Sequence, residues 1–211
     1  FVETNLIDQI YNEFKGEHNE LIKSTLDTIR RRPLSMKIAT NSDDRKKLAL
    51  EAAKQLKDQS GPRVAVFDLD GFDTHTAQGG VDGAHADELE EVNKIVTILY
   101  ENLGQAFDNT LILTLTEFGR TIKQNGGYGT EHGYGSAILM AGGLLKKSQV
   151  YTDWPGLKKK ELFEGRDLNS TIDSRAVYNS AMSVCFNQDP EYLRKEVFWG
   201  DNLPDLSQEL F

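Results

Sequence analysis

Apolar residues recur every three or four positions in three long stretches of the chain, which is the spacing of amphipathic helices. The first stretch covers residues 1–30 and the second residues 42–59, where Ser42 provides an N-cap. The third begins at Ala84 and is the longest. Its apolar positions are Leu89, Val92, Ile95, Val96, Leu99 and Leu103.

Two shorter helices are predicted towards the end of the chain. Asp173 is a candidate cap for the first, and Asp189 followed by proline opens the second. The apolar positions of the first of these helices include Cys185, which we therefore expect in the core. We expect a loose tail from Asp201 onward.

Short runs of apolar residues between these helices predict strands. They cover residues 63–69, 110–116 and 137–141, with a fourth candidate at 148–151. Alternation of strands and helices predicts an α/β fold with a mostly parallel central sheet. The expected organisation is a helical lead-in over 1–60 on the same domain, a core over 61–200 and a tail over 201–211.

Composition and charge disfavour some classes of partner and argue against a membrane span. The 211 residues have a formal net charge of -9, which disfavours a nucleic-acid surface because phosphate binding requires clustered Lys and Arg. No apolar run approaches the roughly 20 residues of a membrane span. A single cysteine excludes an internal disulfide. Because the sequence begins at Phe1 without an initiator Met, we expect it to be the carboxyl-terminal part of a longer protein.

The glycine-rich stretch 116–136 is the first candidate for chemistry. It contains six glycines and follows the strand predicted at 110–116, and ligands of open α/β sheets bind at such strand ends. Charged and titratable side chains stand among these glycines, which suits a binding loop better than a simple surface turn. They are Glu117, Arg120, Glu131 and His132.

A second strand end carries Asp73 and His75, two positions apart. Side chains two apart on an extended segment point the same way, so this pair can face one point. Glu117 and His132 can join it from the neighbouring loop. Carboxylates and imidazoles together favour a divalent transition metal such as Zn or Mn. A purely structural role stays open, in which Asp73 caps a turn and Glu117 pairs with Arg120.

A competing interpretation comes from Asp68 and Asp70. The sequence Val-Phe-Asp-Leu-Asp-Gly resembles the nucleophile strand of haloacid-dehalogenase-type phosphatases, in which the first Asp attacks phosphate and the second is the general acid. That strand normally starts its fold, whereas about sixty residues precede it here. Phe72 also stands where that family has a small residue. We therefore keep this only as an alternative function.

Several motifs together resemble a bacterial family, domain of unknown function 1501, a branch of the alkaline phosphatase and sulfatase superfamily. The similarity covers roughly residues 60–200, in order and with matching spacing. The motifs are Gly71-Phe-Asp-Thr-His75, Leu115-Thr-Glu-Phe-Gly-Arg-Thr121, Glu131-His132-Gly133, Met140-Ala-Gly-Gly143, Val150-Tyr-Thr-Asp-Trp-Pro-Gly156, Gly165-Arg-Asp-Leu168 and Val197-Phe-Trp-Gly200.

The resemblance implies a three-layer α/β/α sandwich and a metal-dependent hydrolase of phosphate or sulfate esters. The implied metal ligands are Asp73, His75, Glu117 and His132, and the implied metal is Zn, Mn or Mg. The substrate would be a small anionic ester, and Arg120 could hold its anionic group. The resemblance also implies a periplasmic or secreted protein.

Two departures from the superfamily pattern favour a rival interpretation. Phe118 stands where the superfamily has an imidazole, and no residue before position 60 resembles the Ser or Thr nucleophile. A degenerate relative that binds an anion or a partner without turnover is therefore the alternative. On either interpretation we expect this chain by itself to be a weak or inactive hydrolase.

Overall fold

The computed structural model describes residues 42–211, and the helix predicted over 1–30 lies outside the described residues. Helices α1 (Ser42–Lys57) and α2 (Ala84–Leu103) follow the predicted apolar stripes, so both predictions are confirmed. Small side chains on one face of α1 let α2 pack closely against it. This first core cluster contains Ala49, Ala53, Ile95, Leu99 and Leu103.

Glycine ends the longer helix, as the sequence predicts. Gly104 has φ 56°, a left-handed conformation that glycine adopts without a steric penalty. A 3-10 helix, Gly104–Asn109, follows and leads into the first strand. No helix within residues 42–211 has both the length and the apolar character needed to cross a membrane.

The described strands form two short antiparallel pairs. β1 (Ile112–Leu113) pairs with β4 (Met140–Ala141), and β2 (Gly119–Arg120) pairs with β3 (His132–Gly133). The glycine-rich stretch between β1 and β4 therefore contains a hairpin of its own. This hairpin positions the candidate site.

Two of the predicted strands form no strand pairing in the described chain. Residues 63–69 and 148–151 have no ladder partner, and Val66 and Val150 are 86% and 89% exposed. A strand exists only through hydrogen bonds to a neighbour, which an apolar run alone does not supply. All strand pairs within residues 42–211 are antiparallel. The parallel three-layer sandwich, and the domain limits proposed with it, stay predictions.

A second core cluster joins the end of the chain to helix α3 (Ser174–Phe186). Asp173 caps α3 as predicted, and helix α4 (Pro190–Val197) starts at the predicted proline. The short helix α5 (Ser207–Leu210) lies within the expected tail. The cluster consists of Ala176, Val177, Leu203, Leu206 and Leu210.

Two expectations about this region are wrong. The residues from Asp201 onward are not loose, because Leu203, Leu206 and Leu210 recur at helical spacing and are buried against α3. Cys185 is exposed rather than in the core. It lies in the last turn of α3, beyond the residues of that helix that pack against the cluster.

Asp205 fixes the start of α5 and makes the stability of this region depend on pH. Its Oδ1 accepts hydrogen bonds from the backbone N–H of Ser207 (2.9 Å), the Ser207 hydroxyl (2.5 Å) and the Ser180 hydroxyl (3.3 Å). The hydrogen bond from the Ser207 hydroxyl is the main cause that lowers the pKa of Asp205, and desolvation opposes it.

We expect Asp205→Ala to lower the free energy of unfolding by about 1 kcal/mol at neutral pH, the usual cost of losing such a bond at a helix start. Because the folded-state pKa of Asp205 is lowered, its contribution is complete above the unfolded-state pKa of about 3.9 and is lost as the pH falls through the folded-state value. Urea unfolding at neutral pH and at about pH 3 should therefore show a narrowing difference between the two proteins. An equal difference at both values would contradict this role.

Candidate metal centre

The segment 73–75 presents alternate side chains to opposite sides, as its extended pattern predicts. Thr74 is 8% exposed, and its hydroxyl donates to Gln78 Oε1 at 2.9 Å. Asp73 and His75 face the other way, towards solvent and towards each other. The alternation thus brings a carboxylate and an imidazole to one point.

The hairpin β2/β3 delivers the second imidazole. Its register places His132 directly opposite Arg120. One backbone hydrogen bond and one from the Asn125 side chain attach its loop to the segment that carries Asp73 and His75. The N–H of Thr130 donates to the Thr74 carbonyl at 3.1 Å, and the Asn125 amide donates to the His75 carbonyl at 2.8 Å. The two loops therefore form one unit.

Glycine is required where these loops touch. A Cβ built on Gly129 would lie 2.3 Å from the carbonyl carbon of His75 and 2.5 Å from the carbonyl oxygen of Thr74. No side chain fits at that separation. At Gly126, in the same loop, a Cβ would meet nothing within 4 Å. Packing thus requires glycine at position 129, where two backbone segments touch, but not at position 126.

Three ligand atoms meet where the loops join. The Nε2 atoms of His75 and His132 each lie 3.0 Å from Asp73 Oδ1, and they lie 3.3 Å from each other. All three side chains are about half exposed, so a ligand can reach them from solvent. Within residues 42–211 these three make the one group of metal-ligating type that converges in this way.

The triangle has the dimensions of one face of a metal coordination sphere. Atoms about 2.0–2.1 Å from a tetrahedral zinc ion lie roughly 3.3 Å from one another, close to the three separations observed. The donor set therefore fits a divalent transition metal, with at least one coordination position left open.

A second carboxylate contacts the other ring nitrogen of His75. Its Nδ1 lies 3.0 Å from Glu131 Oε2, while the Asn125 amide donates to Glu131 Oε1 at 2.5 Å. The Asn125 bond lowers the pKa of Glu131, opposed by desolvation and assisted by His75. An ionised Glu131 accepts the proton of Nδ1, which leaves the Nε2 lone pair free to bind a metal.

Arg120 holds the carboxylate of the triangle. Desolvation raises the pKa of Asp73, but hydrogen bonds from Arg120 and His132 and the charges of both imidazoles outweigh it, so the pKa lies below its ordinary value. The same guanidinium donates through Nε to Thr130 Oγ1 at 2.9 Å and through Nη2 to the Thr130 carbonyl. Three of its five N–H groups are thus used within the protein.

Not every residue proposed from the sequence enters the triangle. Glu117 is exposed at the start of the hairpin and is not part of the converging group. Phe118 stacks on the His132 ring, with centroids 3.7 Å apart and planes 13° apart. This contact restricts the orientation of the imidazole ring. His85 packs edge-on against Phe72, with ring centroids 5.8 Å apart, and is not part of the converging group.

The hydroxyl groups near the triangle are engaged elsewhere. Thr74 bonds to Gln78, and Ser136 accepts from the Thr116 hydroxyl at 3.0 Å. Thr130 donates to Gln78 at 2.7 Å. None of these three hydroxyls is hydrogen-bonded to the three ligand atoms, so no side-chain nucleophile is prepared there in the described chain.

The acidic pair of the alternative interpretation lies among the helices. Asp70 accepts a hydrogen bond from Arg45 of α1, whose other nitrogen donates to Glu88 of α2 at 2.8 Å. Asp68 is exposed. The pairing gives Asp70 a structural partner that ties the segment to both helices.

The partnership of Glu131 with His75 could not be predicted from the sequence. The two residues are 56 positions apart, and Glu131 is adjacent to His132 rather than to the imidazole that it contacts. Only the bonds between the two loops bring them together. The Glu-His-Gly motif marked the right place without assigning the carboxylate its partner.

We expect Glu131→Ala to weaken zinc binding by about 10- to 100-fold, the usual effect of removing an outer-shell partner of a metal-bound histidine. Calorimetric titration with zinc would measure it. The matched control is Glu117→Ala, a carboxylate removed from the same hairpin but outside the triangle, for which we expect little change. An equal loss in the control would instead make Glu117 a fourth ligand.

Known proteins provide one finding about relatives. Residues 29–194, most of the chain, match the family described as protein of unknown function (DUF1501). No curated protein and no solved structure matches the chain.

Proposed function

The chain belongs to the DUF1501 family, and for this member of it we propose a metal-dependent hydrolase of phosphate or sulfate esters with an alkaline-phosphatase-like fold. The observation that carries the proposal is the triangle of Asp73, His75 and His132, because its 3.0–3.3 Å separations match the ligands of a single ion. The two imidazoles favour Zn or Mn over Mg, which prefers oxygen ligands.

Each side chain of the site has a role in this proposal. Asp73, His75 and His132 hold the metal, and Glu131 keeps His75 in the binding tautomer. Arg120 orients Asp73, and its two remaining N–H groups can donate to an ester oxygen. A bound divalent metal would act as a Lewis acid and would lower the pKa of water to about 7.

The reaction itself needs few groups from the chain. Water adds its oxygen to phosphorus or sulfur, the ester bond to the alcohol breaks, and the alcohol leaves with a proton from water. The described chain prepares no hydroxyl nucleophile at the triangle, so the proposed route uses water directly. We expect slow turnover, because the covalent route of nucleophilic enzymes is missing.

Hydrolysis of aryl phosphate and aryl sulfate esters, with Zn, Mn or Mg added in turn, tests the proposal. We expect turnover above the rate of metal and buffer alone, lost on chelation and in the Asp73→Asn variant. Asp70→Asn is the matched control, since that carboxylate is bound to Arg45 and lies outside the triangle. A rate equal to that of metal and buffer with every ion would overturn hydrolysis by this chain and leave the non-catalytic alternative.

One observation favours the non-catalytic alternative, namely that the nearby hydroxyls of Thr74 and Ser136 are hydrogen-bonded elsewhere. In that case the same metal would bind an anion without turning it over. Titration of the zinc-loaded chain with inorganic phosphate and sulfate separates the two functions. Saturable anion binding without ester hydrolysis would establish the alternative.

A further inference from the structure

A partly exposed aromatic pair includes Tyr134, two residues after His132. Tyr134 stacks on Phe163, with ring centroids 4.0 Å apart and planes 15° apart. Phe163 is half-buried, whereas Tyr134 is 53% exposed, so the outer ring of the pair is accessible to solvent. Exposed flat aromatic surfaces of this kind are suited to stacking against another ring.

The chain connects this pair to a metal ligand. Tyr134 follows His132 by two residues, so their Cα atoms are no more than about 7 Å apart. A second aromatic contact, in which Phe118 stacks on the His132 ring, lies in the same hairpin region. The pair therefore begins within two residues of a ligand of the triangle.

Backbone hydrogen bonds hold the segments that carry Tyr134 and Phe163 in place. The N–H of Gly135 donates to the Leu168 carbonyl at 2.9 Å, and a Cβ on Gly135 would lie 2.6 Å from that same oxygen. The turn that carries Phe163 is closed by its N–H bond to the Asp167 carbonyl at 2.9 Å. Phe163 is therefore held relative to the segment that carries Tyr134, which follows β3 directly.

An ion pair between the exposed Arg166 and the buried Asp167 stiffens this turn further. The Asp167 side chain is 3% exposed, and Arg166 donates to both of its oxygens, from Nε at 2.8 Å and from Nη2 at 2.7 Å. Such a two-point contact fixes a guanidinium in one orientation. The surface formed by Tyr134 and Phe163 is consequently pre-organised rather than adaptable, which reduces the entropy lost on binding.

We propose that Tyr134 and Phe163 form a ring-binding subsite, so that the ester favoured by the triangle is one whose alcohol carries a flat ring, either aromatic or pyranose. This inference rests on the proposed function, since it assigns the part of the substrate that lies beyond the anionic group. Both kinds of ring offer a flat apolar face, and the experiment below separates them.

The test titrates the zinc-loaded chain with phosphate esters at one temperature, on a timescale shorter than the slow turnover expected for them. Calorimetry compares phenyl phosphate and glucose 1-phosphate with methyl phosphate, which has the anion but no ring. We expect the favoured ring ester to bind about 3- to 10-fold more tightly than methyl phosphate, which is the range that one aromatic stack supplies. We expect Tyr134→Ala to remove this preference, while Tyr134→Phe keeps it.

Two further measurements distinguish a failure of the subsite from a failure of the metal site. Zinc affinity should be unchanged in Tyr134→Ala, because Tyr134 contributes no atom to the triangle. Phenol and methyl glucoside, titrated without metal, should shift the nuclear magnetic resonance signals of the Tyr134 and Phe163 rings. Absence of zinc binding with these shifts intact would overturn the proposed function alone.

The outcomes that overturn the subsite are equally definite. Equal affinity for the ring and methyl esters in the unmodified chain would do so, as would a ring preference that survives Tyr134→Ala. Ring compounds that leave the Tyr134 and Phe163 signals unmoved would do the same. If the subsite is supported, the ester that binds more tightly, phenyl or glucosyl, identifies which ring the subsite takes.

Discussion

Replacing His132 with alanine is expected to abolish retention of zinc by the chain. The imidazole supplies one of three converging ligand atoms, at 3.0 Å from Asp73 Oδ1 and 3.3 Å from His75 Nε2. Removing an outer-shell partner alone costs about 10- to 100-fold in affinity, and losing a ligand should cost more. Elemental analysis after a common dialysis against a weak chelator would measure the loss.

His85→Ala provides the matched control for this variant. His85 is also a histidine of the described chain, but it packs against Phe72 and is not in the triangle. We expect it to retain metal at the level of the unmodified protein. Circular dichroism of both variants verifies that they are folded. Equal metal content in the two variants would contradict a ligand role for His132.

The second large effect is expected from a residue without a side chain. Gly129→Ala would place a methyl group 2.3 Å from a carbonyl carbon of the neighbouring loop, so the two loops must separate. Forced overpacking of this kind typically costs 1–3 kcal/mol. Because the same loops carry His75 and His132, we expect zinc affinity to fall by at least about tenfold as well.

The control for this variant lies three residues earlier. Gly126→Ala introduces the same methyl group where nothing lies within 4 Å, and surface changes of this kind usually stay within about 0.5 kcal/mol. Urea unfolding and zinc titration of both variants give the comparison. If Gly129→Ala bound zinc as tightly as Gly126→Ala, close contact between the loops would not be what assembles the site.

Within residues 42–211, the helices could be predicted well from the sequence and the strands poorly. Helix α2 was recognised over its full length because its apolar stripe and the terminal glycine are local signals. The apolar run at 63–69 predicted a strand, yet it has no pairing partner within residues 42–211. Strand pairing is a non-local property, so a single apolar run cannot establish it.

In the candidate site, too, local features could be predicted from the sequence and contacts between loops could not. Alternation along 73–75 correctly placed Asp73 and His75 on one side and Thr74 on the other. The return of His132 was expected from the glycine loop. The sequence could not show that Glu131 contacts His75, because that contact depends on the register between two loops.

Arg120 shows how a correct choice of residue can leave its role open. The sequence singled it out as an anion-binding group, and that role stays a prediction. In the structure its guanidinium is bound to Asp73 and Thr130, which are on two different loops. Bonds to both loops make it part of the frame of the site, whether or not it also contacts a substrate.

The most direct test of a metal centre formed by Asp73, His75 and His132 is X-ray absorption spectroscopy of the zinc-loaded chain. The structure predicts one zinc ion per chain, with nitrogen and oxygen ligands at about 2.0–2.1 Å and the scattering pattern of two imidazoles. The pattern should fall to one imidazole in His132→Ala samples loaded with excess metal. A spectrum without imidazole scattering in the unmodified chain, or no retained zinc at all, would contradict the assignment.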